Sequence, residues 1–283
     1  MIKNSKISHS AVIIFTDLDG TLLDSENYAF EQALPALKLI HSLKIPLVIV
    51  SSKTRPEIES IRMKRMFLGH PFITENGGGI FFPKTFPLPQ GYSNKAIDDY
   101  NAIYIGDTVK SVIEKARSLK ERFNFRGFSE MSIEEIIAVT GLGKEEAAHA
   151  SIREFNEPVV LDNAARSADR FCRDAIKLGL DCVHGGRFIH LFRGGNKGKA
   201  VKVVIDIYKR LKSDLFSIAL GDSPNDLPML RVVDKAVLMK GKNGTYMKGL
   251  IMKGLIHPNI IKAQGGGPEA WNDVVLSILR EFS

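Results

Sequence analysis

Four large apolar residues, Val12-Ile13-Ile14-Phe15, lead without interruption into Thr16-Asp17-Leu18-Asp19-Gly20-Thr21. A run this short and continuous fits a strand buried on both faces, as in a parallel sheet covered by helices. Side chains alternate along a strand, so Asp17 and Asp19 share a side and Leu18 points the other way. Gly20 lets the backbone turn sharply just beyond them. Two carboxylates held together repel unless a cation or a shared proton relieves them. A divalent metal site with one acid free for chemistry is the economical reading.

The same design recurs along the chain. Apolar residues at Phe30, Ala33, Leu34, Leu37 and Ile40 have the spacing of one helix face and predict a helix over Tyr28–Leu43. A second apolar run, Leu47-Val48-Ile49-Val50, ends in Ser51-Ser52-Lys53, and Thr54-Arg55-Pro56-Glu57 has the spacing of a capping box. Strand, helix, strand, helix implies a parallel sheet with right-handed crossovers. Residues 72–83 predict a strand, a turn on Gly77-Gly78-Gly79 and a returning strand, the glycines suiting a hairpin or a close approach to a ligand. From Lys84 the pattern changes. Pro83, Pro87 and Pro89 mark a boundary, and residues 85–190 read as an inserted α+β domain. It has helices expected at 111–120, from Ser132 onward and at 143–153, and strands at 159–161 and 187–191. The parallel pattern resumes with a helix from Ala200 to Leu211, opened by Asn196-Lys197-Gly198-Lys199. A third apolar strand, Ser217 to Leu220, runs into Gly221-Asp222-Ser223-Pro224-Asn225-Asp226, and a last helix spans Trp271 to Phe282.

With 283 residues, the chain has room for one or two domains, and 44% apolar and 25% charged residues are ordinary for a soluble globular protein. The net charge of +7 is moderately basic, but no dense Lys/Arg run with interleaved aromatics appears, so no nucleic-acid partner is expected. A small anionic substrate accounts for part of the excess. No apolar run approaches a membrane span, and the polar first ten residues have no signal-peptide core, so a cytoplasmic protein is expected. Cys172 and Cys182 fit no zinc spacing and are expected to be two reduced, buried thiols. Residues 194–200 faintly suggest a phosphate-binding loop, but Arg193 and Ala200 stand where that motif needs Gly and Ser or Thr.

Three buried strands therefore end in polar clusters, at Asp17/Asp19, Ser51/Ser52 and Asp222/Asp226. Ligands of open α/β sheets gather at the carboxyl ends of strands, so the clusters are expected to converge, with Lys197 positioned to join them. D-x-D-G-T at 17–21, the serine after the second strand, Lys197 before Gly198, and G-D-x-x-N-D at 221–226 resemble the four motifs of the haloacid dehalogenase (HAD) superfamily of phosphotransferases. The insert resembles its C2-type cap. Residues 52–55, 75–79, Arg153-Glu154-Phe155, Gly186-Arg187-Phe188 with His190, and 221–230 are similar to the mannosyl-3-phosphoglycerate phosphatase family.

The resemblance implies an α/β fold with a HAD-like Rossmannoid core over residues 1–84 and 191–283 and a cap over 85–190. It implies a Mg²⁺-dependent phosphatase that makes mannosylglycerate, a compatible solute, through an aspartyl-phosphate. Asp17 would be the nucleophile and Asp19 the acid/base. Ser52, with Ser51 as alternative, and Lys197 would bind phosphate oxygens. The metal would be held by Asp17, the carbonyl of Asp19, Asp222 and Asp226. Lys53, Asn76, Gly77, Arg153, Arg187, His190 and Asn225 are the candidate substrate-binding residues. The competing expectations are a general sugar-phosphate phosphatase, a phosphomannomutase-like isomerase, and a non-catalytic binding protein on a retained fold. The oligomeric state is left open.

Overall fold

Contacts divide the chain into two units, Met1–Val50 with Val201–Ser283, and Ser51–Ala200. The computed structural model describes residues 11–65, 69–92, 95–185, 188–247 and 259–282. In chain order the strands begin with β1 (Ala11–Thr16), β2 (Leu47–Val50), β3 (Phe72–Thr74), β4 (Gly79–Pro83), β5 (Lys95–Ile97) and β6 (Tyr100–Tyr104). They continue with β7 (Phe125–Gly127), β8 (Glu157–Leu161), β9 (Asp181–Gly185), β10 (Phe188–Phe192), β11 (Leu215–Gly221), β12 (Lys235–Leu238) and β13 (Ile260–Lys262). The helices are α1 (Leu34–Ser42), α2 (Arg55–Arg65), α3 (Val109–Ala116), α4 (Ile133–Thr140), α5 (Lys144–Ser151), α6 (Ala164–Lys177), α7 (Lys197–Leu211), α8 (Leu227–Leu230) and α9 (Gly267–Leu279). No helix among the described residues is long and apolar enough to cross a membrane.

In the first unit the strand order is β13-β12-β11-β1-β2, and every neighbouring pair is parallel. Ile13, Phe15, Val48 and Leu220 are fully buried, as uninterrupted apolar strands between helical layers must be. The helix expected from Tyr28 starts later, at Leu34, with Pro35 in its first turn. The Asp24 carboxylate takes the backbone N–H groups of Glu26 and Asn27, and Tyr28 adopts a left-handed φ of 57°. That side-chain turn competes with helix and wins. Trp271 on α9 is fully buried, and its indole N–H donates to Thr16 Oγ1 at 3.0 Å, steadying the strand end that carries Asp17. Asn272 Oδ1 accepts the Ala36 N–H at 2.9 Å and so ties α9 to the first turn of α1.

The second unit contains strands in the order β3-β4-β6-β5, antiparallel throughout, and a separate antiparallel sheet ordered β7-β8-β10-β9. The expected capping boxes form: Thr54 and Glu57 exchange bonds at the start of α2, as do Ser132 and Glu135 at α4. One face of the second sheet, with Val159, Leu161, Ile189 and Leu191, packs on α3 and α6 through Val112, Ala116, Phe171 and Ala175. Helix α5 ends at Ser151, so Arg153 lies just beyond it. The boundaries expected for the insert, at 85 and 190, both fall inside this unit.

The two cysteines are a correction. Cys172 on α6 and Cys182 on β9 form a disulfide, with Cα atoms 5.3 Å apart, where two reduced thiols were expected. The helix reverses at Leu178–Leu180 and lays β9 back along itself, which brings two residues ten apart in sequence within bridging distance. Closing a loop of this size is worth about 2–3 kcal/mol. Cys172→Ser, or reduction of the wild type, is expected to lower the unfolding free energy by about that amount in urea titrations. Alkylation of unreduced, denatured protein is expected to add no mass.

Candidate active site

Parallel pairing does the first work of assembly. Thr16 sits opposite Leu220, and the Asp17 N–H donates to the Leu220 carbonyl at 3.0 Å, so β1 and β11 end side by side. The residues that follow, Asp17 on one strand and Gly221-Asp222 on the other, are thereby neighbours. Gly20 turns with φ +81°, and a Cβ there would stand 3.0 Å from Asp222 Oδ2. Thr21 donates its hydroxyl to Asp222 Oδ1 at 2.8 Å. Beyond β11, Asp226 Oδ2 accepts the backbone N–H groups of Asp222 (3.1 Å) and Ser223 (2.9 Å), which folds the G-D-x-x-N-D loop onto its own last acid. The Ser223 hydroxyl contacts Asn225 in the same turn.

Carboxylate oxygens of Asp17, Asp222 and Asp226 all come within 4.8 Å of one another. Asp17 and Asp226 are buried and Asp222 is half-buried. Ligand distances of 2.0–2.6 Å put oxygens on one cation about 3–5 Å apart, so this trio fits a single hard divalent ion. An all-oxygen donor set excludes a soft-metal preference. Among the described residues Asp19 contributes no carboxylate to the trio.

The second unit gathers the other candidates. The Ser51 N–H donates to Ile73, its carbonyl accepts from Asn76, and its hydroxyl accepts the Lys53 N–H at 3.2 Å. The Ser52 carbonyl accepts from Arg153 Nη1 at 3.0 Å. Lys53 pairs with Glu57 across one helical turn. Asn196 Oδ1 accepts the Lys199 N–H at 2.9 Å, an N-cap that starts α7 at Lys197 and not at Ala200. Lys197 is 1% exposed. Gly77, at φ +93°, serves a close approach of protein backbone: a Cβ there would meet the Asn196 carbonyl oxygen at 2.2 Å.

Glu75, named in the sequence only as part of a motif, is the organising residue of this unit. Its buried carboxylate accepts three successive backbone N–H groups, from Glu154 (2.8 Å), Phe155 (2.9 Å) and Asn156 (2.8 Å). Burial pushes its pKa up to about 7, against the opposing pull of Arg153 and those three N–H groups. The anchored loop holds Arg153, whose guanidinium donates to the carbonyls of Ala150 and Ser52 and reaches Asn156 Oδ1 at 3.4 Å. His190 is buried, and burial together with the nearby positive charges of Arg153 and Lys197 holds its pKa down at about 3. Arg187 lies outside the described residues. Sequence reasoning does not reach the contacts of Trp271 with Thr16, of Thr21 with Asp222 and of Asn156 with Glu75, because they cross long sequence separations, which periodicity does not carry.

Comparison with known proteins agrees with this geometry. Residues 14–246 match the family described as haloacid dehalogenase-like hydrolase. The chain is 37% identical to the glucosyl-3-phosphoglycerate/mannosyl-3-phosphoglycerate phosphatase of Persephonella marina, over 96% of this chain and 98% of the relative. It is 36% identical to the protein of the same description from Methanococcoides burtonii, over 94% and 97%. A solved structure from Thermoplasma acidophilum shares the fold at a TM-score of 0.67 and 15% identity, covering 96% of this chain and 99% of that one.

Proposed function

Because the chain belongs to the haloacid dehalogenase-like hydrolases, we propose that it is a Mg²⁺-dependent phosphatase acting on mannosyl-3-phosphoglycerate or its glucosyl counterpart. The carboxylate trio of Asp17, Asp222 and Asp226 carries the chemistry. Similarity to phosphatases of that description over nearly the whole chain supports the substrate.

In this reading Asp17 attacks phosphorus in line, and the bond to the substrate oxygen breaks as the aspartyl-phosphate forms. Asp19 gives a proton to the departing alkoxide, then takes one from the water that attacks phosphorus and frees Asp17. Mg²⁺, held by Asp17, Asp222, Asp226 and the Asp19 carbonyl, would supply neutralising charge for an otherwise repelled nucleophile and phosphate. Lys197 and Ser52 take phosphate oxygens. Ser51 competes with Ser52 for that role, since its hydroxyl accepts the Lys53 N–H and keeps its own proton to donate. Asn225 supports the acid loop. Lys53, Asn76, Gly77, Arg153, Arg187 and His190 meet the rest of the substrate, the last three from a cap over residues 85–190. A cytoplasmic location goes with this reading, because charged phosphate esters do not cross membranes unaided.

A panel of phosphorylated sugars and glycerates with Mg²⁺ tests it. Inorganic phosphate release is expected to be fastest from glycosyl-3-phosphoglycerates, to fall at least ~100-fold on chelation and to return with added Mg²⁺. Faster release from an unrelated phosphosugar would make the enzyme a general sugar phosphatase. Interconversion of hexose phosphates without release would make it a mutase.

A further inference from the structure

Among the buried polar atoms of the second unit that make no hydrogen bond, one on β10 and one just before β8 fall in the same phase of the pleat. Asn156 is fully buried and its Nδ2 makes no hydrogen bond; His190 is 7% exposed and its Nδ1 makes none. Pro158 on β8 is opposite His190 on β10, so their side chains share a face. Asn156 precedes β8 by one residue and stands two before Pro158, in phase with it. The opposite face, with Val159, Leu161, Ile189 and Leu191, is filled by the packing of α3 and α6.

The amide orientation is set by a neighbour. Arg153 Nη1 points to Asn156 Oδ1, so the oxygen is committed and the NH₂ group is the orphan. The Asn156 backbone N–H is held separately by Glu75. Two amide hydrogens, buried and unsatisfied, cost free energy until an acceptor arrives. The neutral His190 ring, which feels the same Arg153 guanidinium, can present a further N–H. Arg153 and Lys197 supply the charge that acts on this same imidazole. Orphan donors backed by two cations make a subsite for an oxyanion, and neither orphan offers what a neutral apolar group would need.

We propose that Asn156 is a specificity-determining residue whose Nδ2, with His190 and Arg153, receives the carboxylate of the substrate's glycerate moiety. The proposal rests on the substrate reading above and deepens it. A phosphate oxygen has the same acceptor chemistry, and the test separates the two.

The experiment measures kcat and KM for wild type, Asn156→Ala and Asn156→Asp on two substrates: mannosyl-3-phosphoglycerate, and the matching glycoside of glycerol phosphate, which lacks the carboxylate. Asn156→Asp retains the acceptor that faces Arg153 and replaces only the donor, so it separates reading the ligand from holding the arginine. For Asn156→Ala the preference for the carboxylate-bearing substrate is expected to fall 10–100-fold, chiefly through KM. Asn156→Asp, which sets a second anion against the carboxylate, is expected to lose at least as much. Equal losses on both substrates would assign Asn156 to the phosphate or to a structural role and overturn the proposal, as would no loss on either. If wild-type enzyme ignores the phosphoglycerate glycoside, the substrate reading has failed first, and this proposal falls with it.

Discussion

Asp17→Asn is expected to lower kcat by about four orders of magnitude or more, as removal of a nucleophile does when positioning groups remain. An amide oxygen is a poor nucleophile toward phosphorus, and Asn at 17 keeps the backbone bond to Leu220 while losing the charged oxygen. Stability should move the other way. Without a cation, Asp17, Asp222 and Asp226 crowd within 4.8 Å, and removing one charge relieves that repulsion. The variant's melting temperature in chelator is therefore expected to equal or exceed that of wild type, while added Mg²⁺ stabilises it less. Phosphate release and thermal melts with and without Mg²⁺ check both halves. Turnover near the wild-type rate would overturn the covalent mechanism.

The second large effect concerns Glu75. Replacing it with Leu strands three backbone N–H groups, two of them buried and one partly so, and each buried unsatisfied donor costs about 1–3 kcal/mol. Allowing for relaxation, Glu75→Leu is expected to lose roughly 3–5 kcal/mol in urea unfolding at pH 5. The pH dependence is separate and its sign is unusual for an acid. Burial raises the folded-state pKa to about 7 from 4.5, so the folded chain favours the protonated form. That contribution is complete below pH 4.5 and is lost as pH rises through 7, on the order of 3 kcal/mol if no other group compensates. Wild type should accordingly lose stability between pH 4.5 and 7.5 relative to Glu75→Gln. Parallel stability curves for the two proteins would show that Glu75 is ionised throughout.

What could be read in the sequence, and what could not, divides by the range of the interaction. Val12–Phe15, Leu47–Val50 and Ser217–Leu220 announce buried parallel strands because burial on both faces leaves no polar position to confuse the period. Capping boxes at Thr54 and Ser132 are legible for the same local reason. Helix α6 is hard to read because its buried stripe of Ala168, Phe171, Asp174 and Ala175 holds one large apolar residue and a carboxylate among charged neighbours. Strand β9, partly covered and lacking alternation, is hard to read too. The acids at 17 and 222 are suggested by chemistry and brought together by β1–β11 pairing over some two hundred residues. Nothing local distinguishes Asn156 from any polar loop residue; its standing comes from the Glu75 carboxylate below it and the Arg153 guanidinium beside it.

In the second unit, main chain touches main chain where side chains would normally intervene. A Cβ at Gly195 would stand 2.6 Å from the Gly77 carbonyl oxygen, and one at Gly106 would stand 3.1 Å from Gly78 Cα. The chain thus leaves for a long excursion and returns to the spot it left, with the door held narrow by residues that have nothing to subtract. A single methyl group at the doorway would push the two passing segments apart, and with them the start of α7 that carries Lys197.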